Sequence, residues 1–250
     1  MTLKEHIQKT IKHYSRYNRT YFRNKFYDRL FRKRIESRFD LVHIYKDYPE
    51  LAQIYNQNIA RYRHEIMPFY KDYVTTISNP IMAASFETSV FLLILCDLIK
   101  PQRIIDFGSG FSSFIFRFYA QKHSGAEVWS VDDSQEWLDK TGEYLIKNNM
   151  SADNLFSLES MKQKKDISFD LILYDMGAFD TRMSNLKFVL DMLSQNGIIV
   201  LDDMHGADYA FFVLDSLRKN HFKKYSAYHF TIDNINRYSF IAKHEIPNQR

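Results

Sequence analysis

Four groups of residues in this 250-residue sequence have the types and spacing to do chemistry. The first is Arg103-Ile-Ile-Asp-Phe-Gly-Ser-Gly-Phe-Ser-Ser, where an apolar run meets Asp106 and then Gly108, Ser109 and Gly110. The glycines let the backbone turn tightly and approach a ligand closely. A helix beginning just after them exposes unpaired N–H groups, with the hydroxyls of Ser112 and Ser113 as added donors. The second group is Asp132-Asp133, an acid pair at a station where a carboxylate can grip both hydroxyls of a ribose. The third is Asp175, after Phe169-Asp-Leu-Ile-Leu-Tyr, and the fourth is Asp202-Asp203-Met-His205, after Gly197-Ile-Ile-Val-Leu. Carboxylates suit Mg²⁺, which keeps several waters and can bind hydroxyls, and an imidazole near neutral pH can take a proton.

The elements that must position these residues alternate. Strands are expected at Arg103–Phe107, Glu127–Val131, Leu155–Leu158, Phe169–Tyr174 and Gly197–Leu201. Helices are expected between them over Ser112–Lys122, Gln135–Asn148, Asn185–Leu193 and Tyr209–Asn220. Such alternation means crossover units and a parallel sheet, whose ligand crevice lies at the carboxyl ends of the strands. A helix starting at Ser85 and ending at Pro101 precedes the first strand, with Ser85 and Glu87 either as its cap or facing a ligand. The end breaks the pattern: Lys223–Phe230 and Arg237–Ala242 read as a hairpin, adding one antiparallel strand.

The ligand class follows from the acids. A dinucleotide wants Gly-x-Gly-x-x-Gly and no carboxylate beside its pyrophosphate, but Ser113 holds the third glycine position and Asp106 would repel phosphate. S-adenosylmethionine has no phosphate and carries an ammonium group, so a strand-tip acid favours it. Here the sequence resembles the class I S-adenosylmethionine-dependent methyltransferases. Asp106-Phe-Gly-Ser-Gly is similar to their first motif, Val131-Asp132 to the acid ending their second strand, and Phe169 to Asp175 to their fourth-strand motif. The resemblance spans residues 81–244 and implies a Rossmann-like, doubly wound, seven-stranded α/β sheet with a C-terminal antiparallel hairpin. It also implies donor contacts from Asp106, Gly108, Ser109, Gly110, Ser112, Ser113, Asp132 and Asp133, and places Glu159 or Ser160 near an adenine. The strand-end acids further resemble those of metal-dependent O-methyltransferases. That likeness implies Mg²⁺ held by Asp175, Asp202 and Asp203, with His205 deprotonating the acceptor and Asp175 at the reaction centre. The same acids also suit a plainer role as helix caps, and His205 that of a turn residue.

Two relatives are excluded. Tyr174-Asp-Met-Gly is not the Asn/Asp-Pro-Pro-Tyr/Phe motif of amino-methylating enzymes. Carbon-5 cytosine chemistry needs a cysteine near the fourth strand, and the one cysteine, Cys96, sits in an apolar helix before the glycine turn as a buried structural thiol.

Net charge is +4, yet residues 1–40 alone hold twelve Lys and Arg against four Asp and Glu. Lys9, Lys12, Arg16, Arg19 and Arg23 fall on one helical face, interleaved with Tyr14, Tyr17, Tyr21 and Phe22. Residues 1–78 are therefore expected to be a basic, aromatic-rich helical region, with Pro68 and Asn79-Pro80 punctuating its end, and residues 79–250 the donor-binding domain. The basic segment suits a cap, a substrate roof or a homodimer face, and its composition also fits nucleic acid or an anionic membrane. Met1 to Thr10 lack an apolar leader, and Val90 to Cys96 is too short to cross a bilayer, so a cytoplasmic protein is expected.

The function these readings point to is methylation of a hydroxyl on a small molecule, with Mg²⁺ assistance. The alternatives left open are an RNA or protein methyltransferase gripping through the basic segment, a catalytically idle nucleotide- or partner-binding fold, and an NAD-dependent oxidoreductase.

Overall fold

A computed structural model describes residues 39–123 and 125–245. The basic stripe of residues 1–38 lies outside them, and with it the expected nucleic-acid, membrane and dimer contacts of that segment. Helices α1 (Phe39–Asp47) and α2 (Leu51–Thr76) lead into α3 (Phe86–Ile99). Contrary to the sequence expectation, α2 does not break at Pro68 but runs through it for two further turns. An interior proline costs a helix about 3 kcal/mol. The loss is offset because Tyr62, Ile66 and Tyr73 of α2 are buried, with α2 packed along α3 on both sides of the proline. Ser85 caps α3, its hydroxyl accepting from the Thr88 N–H at 3.0 Å.

The strands β1 (Arg103–Phe107), β2 (Glu127–Asp132), β3 (Leu155–Ser157), β4 (Phe169–Tyr174), β5 (Leu193–Leu201), β6 (Phe222–Ser226) and β7 (Phe240–His244) form one sheet, ordered β3-β2-β1-β4-β5-β7-β6. All neighbours from β3 to β5 pair in parallel, and β7 runs antiparallel between β5 and β6. The expected hairpin is thus present, but Tyr228–Thr231 forms a short helix where the first hairpin strand was expected to continue.

The central strands β1 and β4 and the second half of β5 are mostly apolar because both of their faces are covered. Alternate side chains divide between two cores. Ile104, Leu171, Leu173, Ile198 and Val200 join α2, α3 and α4 (Phe111–Lys122) on one face. Ile105, Phe107, Ile172, Tyr174, Ile199 and Leu201 join α7 (Phe179–Asp191) and α8 (Ala207–Lys219) on the other. Between them in the chain run α5 (Gln135–Lys147) and α6 (Leu158–Lys162). From β1 the chain winds outward through β2 and β3, then returns to β4 on the far side of β1. The crevice at the carboxyl ends of β1 and β4 is therefore the switch point where such sheets bind ligands. Among the described residues no helix is long and apolar enough to cross a membrane.

Candidate active site

A cavity of about 590 Å³ opens at that switch point. Its floor is the β1–α4 turn. Gly108 has φ +111°, and a Cβ there would lie 2.5 Å from the backbone oxygen of Asp175, so the loops after β1 and β4 touch only because this residue has no side chain. The Gly108 N–H donates to the Val131 carbonyl and the Asp175 N–H to the Phe107 carbonyl, both at 2.8 Å, lacing the three strand ends together. Gly110 faces Tyr73 of α2, whose hydroxyl would be 3.0 Å from an added Cβ.

The first two acids sit differently. Asp106 is fully buried beneath the turn and is not among the residues that line the cavity. One of its oxygens accepts from Ser113 at 2.6 Å and Ser112 at 3.0 Å, and the other has no partner. Burial pushes its carboxyl up to about 7, against the two hydroxyls and the nearby Arg117 guanidinium. Asp132 lines the cavity; one oxygen accepts from the Ser109 N–H at 2.8 Å and the Ser109 hydroxyl at 3.0 Å, the other from the Ser134 N–H at 2.9 Å. Asp133 also lines it and reaches across toward Gly177. Gly108, Ser109, Gly110 and Ser112 join the lining, and Ser113 stays below with Asp106. Glu159 and Ser160, on α6, are outside it, Glu159 pairing with Lys162 at 3.1 Å.

The acids after β4 and β5 depart from the expected metal set. Asp175 and Asp203 line the cavity, but Arg182 lies between them, with Nη2 2.8 Å from Asp175 and Nη1 3.2 Å from Asp203. Asp202 is buried and turned away, accepting from the Ser239 hydroxyl at 2.6 Å. His205 is outside the lining, with Nδ1 3.5 Å from the far oxygen of Asp203. The structure gives each of Asp175, Asp202 and Asp203 a partner other than a shared ion. A guanidinium holds two of the acids and a serine the third, and among the described residues no three Asp, Glu, His or Cys are grouped to hold a metal. Burial lifts the Asp175 carboxyl well above its ordinary range, with Asp202 and Asp203 adding to the shift and Arg182 opposing it. Burial opposes the charge on Arg182, but Asp175 and Asp203 outweigh it and hold the guanidinium protonated.

Sequence reasoning missed the rest of the lining. Trp137 of α5 stands beside Asp132 to Ser134, and Tyr73 closes the α2 side. Ile81, Met82, Ala83 and Ala84 form a rim, with Ile81 69% and Met82 63% exposed despite their size. Arg237 braces that rim, its guanidinium donating to the carbonyls of Pro80 at 2.9 Å, Ile81 at 2.6 Å and Ala83 at 3.1 Å while pairing with Asp233 at 2.7 Å. The thiol of Cys96 is buried in α3, away from all of this, and burial pushes it well up.

This architecture is shared with solved methyltransferases of low sequence identity. The methyltransferase PaMTH1 of Podospora anserina, bound to S-adenosylhomocysteine (SAH), matches with a TM-score of 0.56 at 16% identity, over 75% of this chain and 88% of its own. The O-methyltransferase from Bacillus cereus in complex with SAH gives 0.55 at 15% identity, over 73% and 89%. The O-methyltransferase TomG of Streptomyces achromogenes, involved in tomaymycin synthesis and bound to SAM, gives 0.54 at 13% identity, over 74% and 87%. No family model matches the sequence, and no curated protein does. The chain has the Rossmann-like fold of the class I methyltransferases.

Proposed function

We propose that the protein is an S-adenosylmethionine-dependent methyltransferase acting on a hydroxyl of a small molecule. The observation that carries this is the charge of the cavity at the switch point. Of its charged lining, Arg182 is paired with Asp175 and Asp203 and Arg237 with Asp233, which leaves Asp132 and Asp133 as acids that no cation among the described residues meets. Such a lining attracts a ligand bearing a sulfonium and an ammonium, and it repels pyrophosphate or a nucleic-acid backbone. The solved structures of the same fold, bound to SAH or SAM, support the same donor.

The donor supplies an activated methyl group; this chain binds and orients it. Asp132 and Asp133 face the ribose, the turn Gly108 to Gly110 lies under the amino-acid tail, and Asp106 braces that turn from beneath through Ser112 and Ser113. Trp137 gives the base a flat apolar wall. The other end, lined by Ile81, Met82, Ala83 and Phe179, takes the acceptor's apolar body. Asp175 sits where the two ends meet, and its raised proton affinity suits a base that receives the acceptor hydroxyl's proton. Tyr73 of α2 roofs the site, and His205 serves Asp203 from outside.

Calorimetric titration with SAH, against NADH as comparison, tests the reading. Saturable binding of SAH alone is expected, followed by label transfer from S-adenosylmethionine to hydroxylated acceptors. Binding of NADH alone, or of neither ligand, overturns it.

A further inference from the structure

The acids that would hold a divalent cation in this fold have other partners here. Resting on the donor reading above, we propose that Arg182 takes the cation's place, so that transfer is metal-independent and the acceptor is engaged through one hydroxyl rather than chelated through a vicinal pair.

Arg182 is built into the site rather than resting against it. Its Nη2 and Nη1 meet Asp175 at 2.8 Å and Asp203 at 3.2 Å, so the fork spans the ends of β4 and β5, where metal ligands were expected. Its Nε donates to the carbonyls of Met176 at 3.0 Å and Gly177 at 3.3 Å, which fixes the plane of the fork. The guanidinium carbon lies 5.5 Å from the Phe179 ring centre and 5.7 Å from that of Tyr209. Its side chain is only 7% exposed, and it lines the cavity. Mg²⁺ needs oxygen ligands at about 2.0–2.1 Å in octahedral array. An ion that close to Asp175 and Asp203 would meet the guanidinium bound to the same two carboxylates, and like charges would repel. Asp202, the third acid, is committed to Ser239 at 2.6 Å.

A guanidinium differs from Mg²⁺ in what it can do. It carries one delocalised charge and cannot take two substrate oxygens into a coordination shell, but it offers N–H groups in a fixed plane. Of its donors, Nε serves the two carbonyls, whereas Nη1 lies beside Asp203 without completing a hydrogen bond. With Nη1 sealed from solvent, Nη2, 2.8 Å from Asp175, is the nitrogen that steadies an oxygen losing its proton. In the step itself the acceptor proton passes to Asp175 and the oxygen's electron pair forms the new C–O bond. The C–S bond of the donor breaks with its pair going to sulfur, which leaves neutral SAH.

The test uses the full chain, with and without saturating SAH, titrated with Mn²⁺ while free ion is followed by electron paramagnetic resonance. The ion is expected to stay free through the millimolar range, and a saturable site in the wild-type chain overturns the proposal. Once an acceptor transfers label, its rate is expected to be the same in chelator as in Mg²⁺, and a rate lost in chelator overturns it. Arg182→Ala should keep its SAH affinity while kcat falls about 100-fold, the loss seen when one aimed donor is removed. A variant that binds SAH and keeps full kcat counts against Arg182. If that variant does not fold, the two wild-type arms still decide. If SAH does not bind, the donor reading falls, while the Mn²⁺ titration of the free chain still judges Arg182.

Discussion

Replacing Gly108 by alanine is the most demanding check on how the donor site is built. Two separate penalties act there. The residue sits at φ +111°, outside the region that L side chains adopt readily, a strain of about 1–3 kcal/mol. The added methyl would also sit 2.5 Å from the Asp175 carbonyl oxygen, 2.6 Å from its carbon and 2.9 Å from the Met176 nitrogen, all of them backbone. Backbone cannot swing aside, so the loops after β1 and β4 must part. Overpacking of this kind costs about 1–3 kcal/mol. The sum, about 2–6 kcal/mol, is a large part of the ~5–15 kcal/mol that holds a domain folded. Parting those loops also breaks the 2.8 Å bond from Asp175 to Phe107 and moves both halves of the donor floor. Gly177→Ala is the control. It too has positive φ, +56°, but its methyl would meet only the side chain of Asp133, at 2.7 Å from a carboxylate oxygen that can rotate away. It should therefore cost about 1 kcal/mol, and whatever SAH affinity it loses reports the turned Asp133 alone. Urea unfolding gives the stabilities and calorimetry the SAH affinities. If Gly108→Ala loses no more stability than Gly177→Ala and still binds SAH at wild-type strength, the close contact of the two loops is not what shapes this site.

Three further outcomes follow from charge. Asp106 titrates at about 7 in the folded chain against 3.8 free, so between those values the native state holds a proton that the unfolded chain has lost. Stability must therefore fall as pH rises from about 4 to about 7, by about 4 kcal/mol from this group. Asp106→Asn should flatten that slope in urea unfolding at a series of pH values, and should weaken SAH. Asp47 behaves oppositely: burial opposes its charge, but Lys223, Tyr225 and Lys243 hold its carboxyl down to about 2, below the free value of 3.8. Its contribution is present above about pH 4 and disappears as pH falls toward 2. Asp47→Asn should thus destabilise the protein at neutral pH and make no difference at about pH 2, read by circular dichroism. Arg237→Ala strips three carbonyls of their donor and leaves Asp233, only 3% exposed, without its cation. It should cost about 3 kcal/mol and raise the acceptor KM more than the donor KM, with faster proteolysis at the 80–84 rim as the structural readout.

The alternation of apolar runs and amphipathic stretches made the sheet legible, because a strand buried on both faces can read in no other way over five or six residues. The glycine turn was legible for a different reason: a backbone that must pass 2.5 Å from a carbonyl admits one residue type, so the sequence carries the geometry directly. Lining residues such as Tyr73, Trp137 and Arg237 carry no such signal. Their places depend on how α2, α5 and the turn before β7 fold back over the sheet, which is tertiary packing and not local pattern.

Arg182 shows where the limit falls. The sequence expectation began this helix at Asn185, whereas it begins at Phe179, and the misplaced boundary put Arg182 in a loop. On the true helix Arg182, Asn185, Leu186, Val189 and Leu190 share the buried face, at helical spacing. An arginine in register with an apolar stripe can be buried only if carboxylates meet it, and the acids at the ends of β4 and β5 were the ones in reach. Read together, the stripe and the acids would have foretold an ion pair in the acceptor half of the cavity. Read apart, the acids alone suggested a metal. The chemistry of a strand-end carboxylate in this fold is set by what the next helix brings back to it, and in this chain that is a guanidinium held 2.8 Å from Asp175.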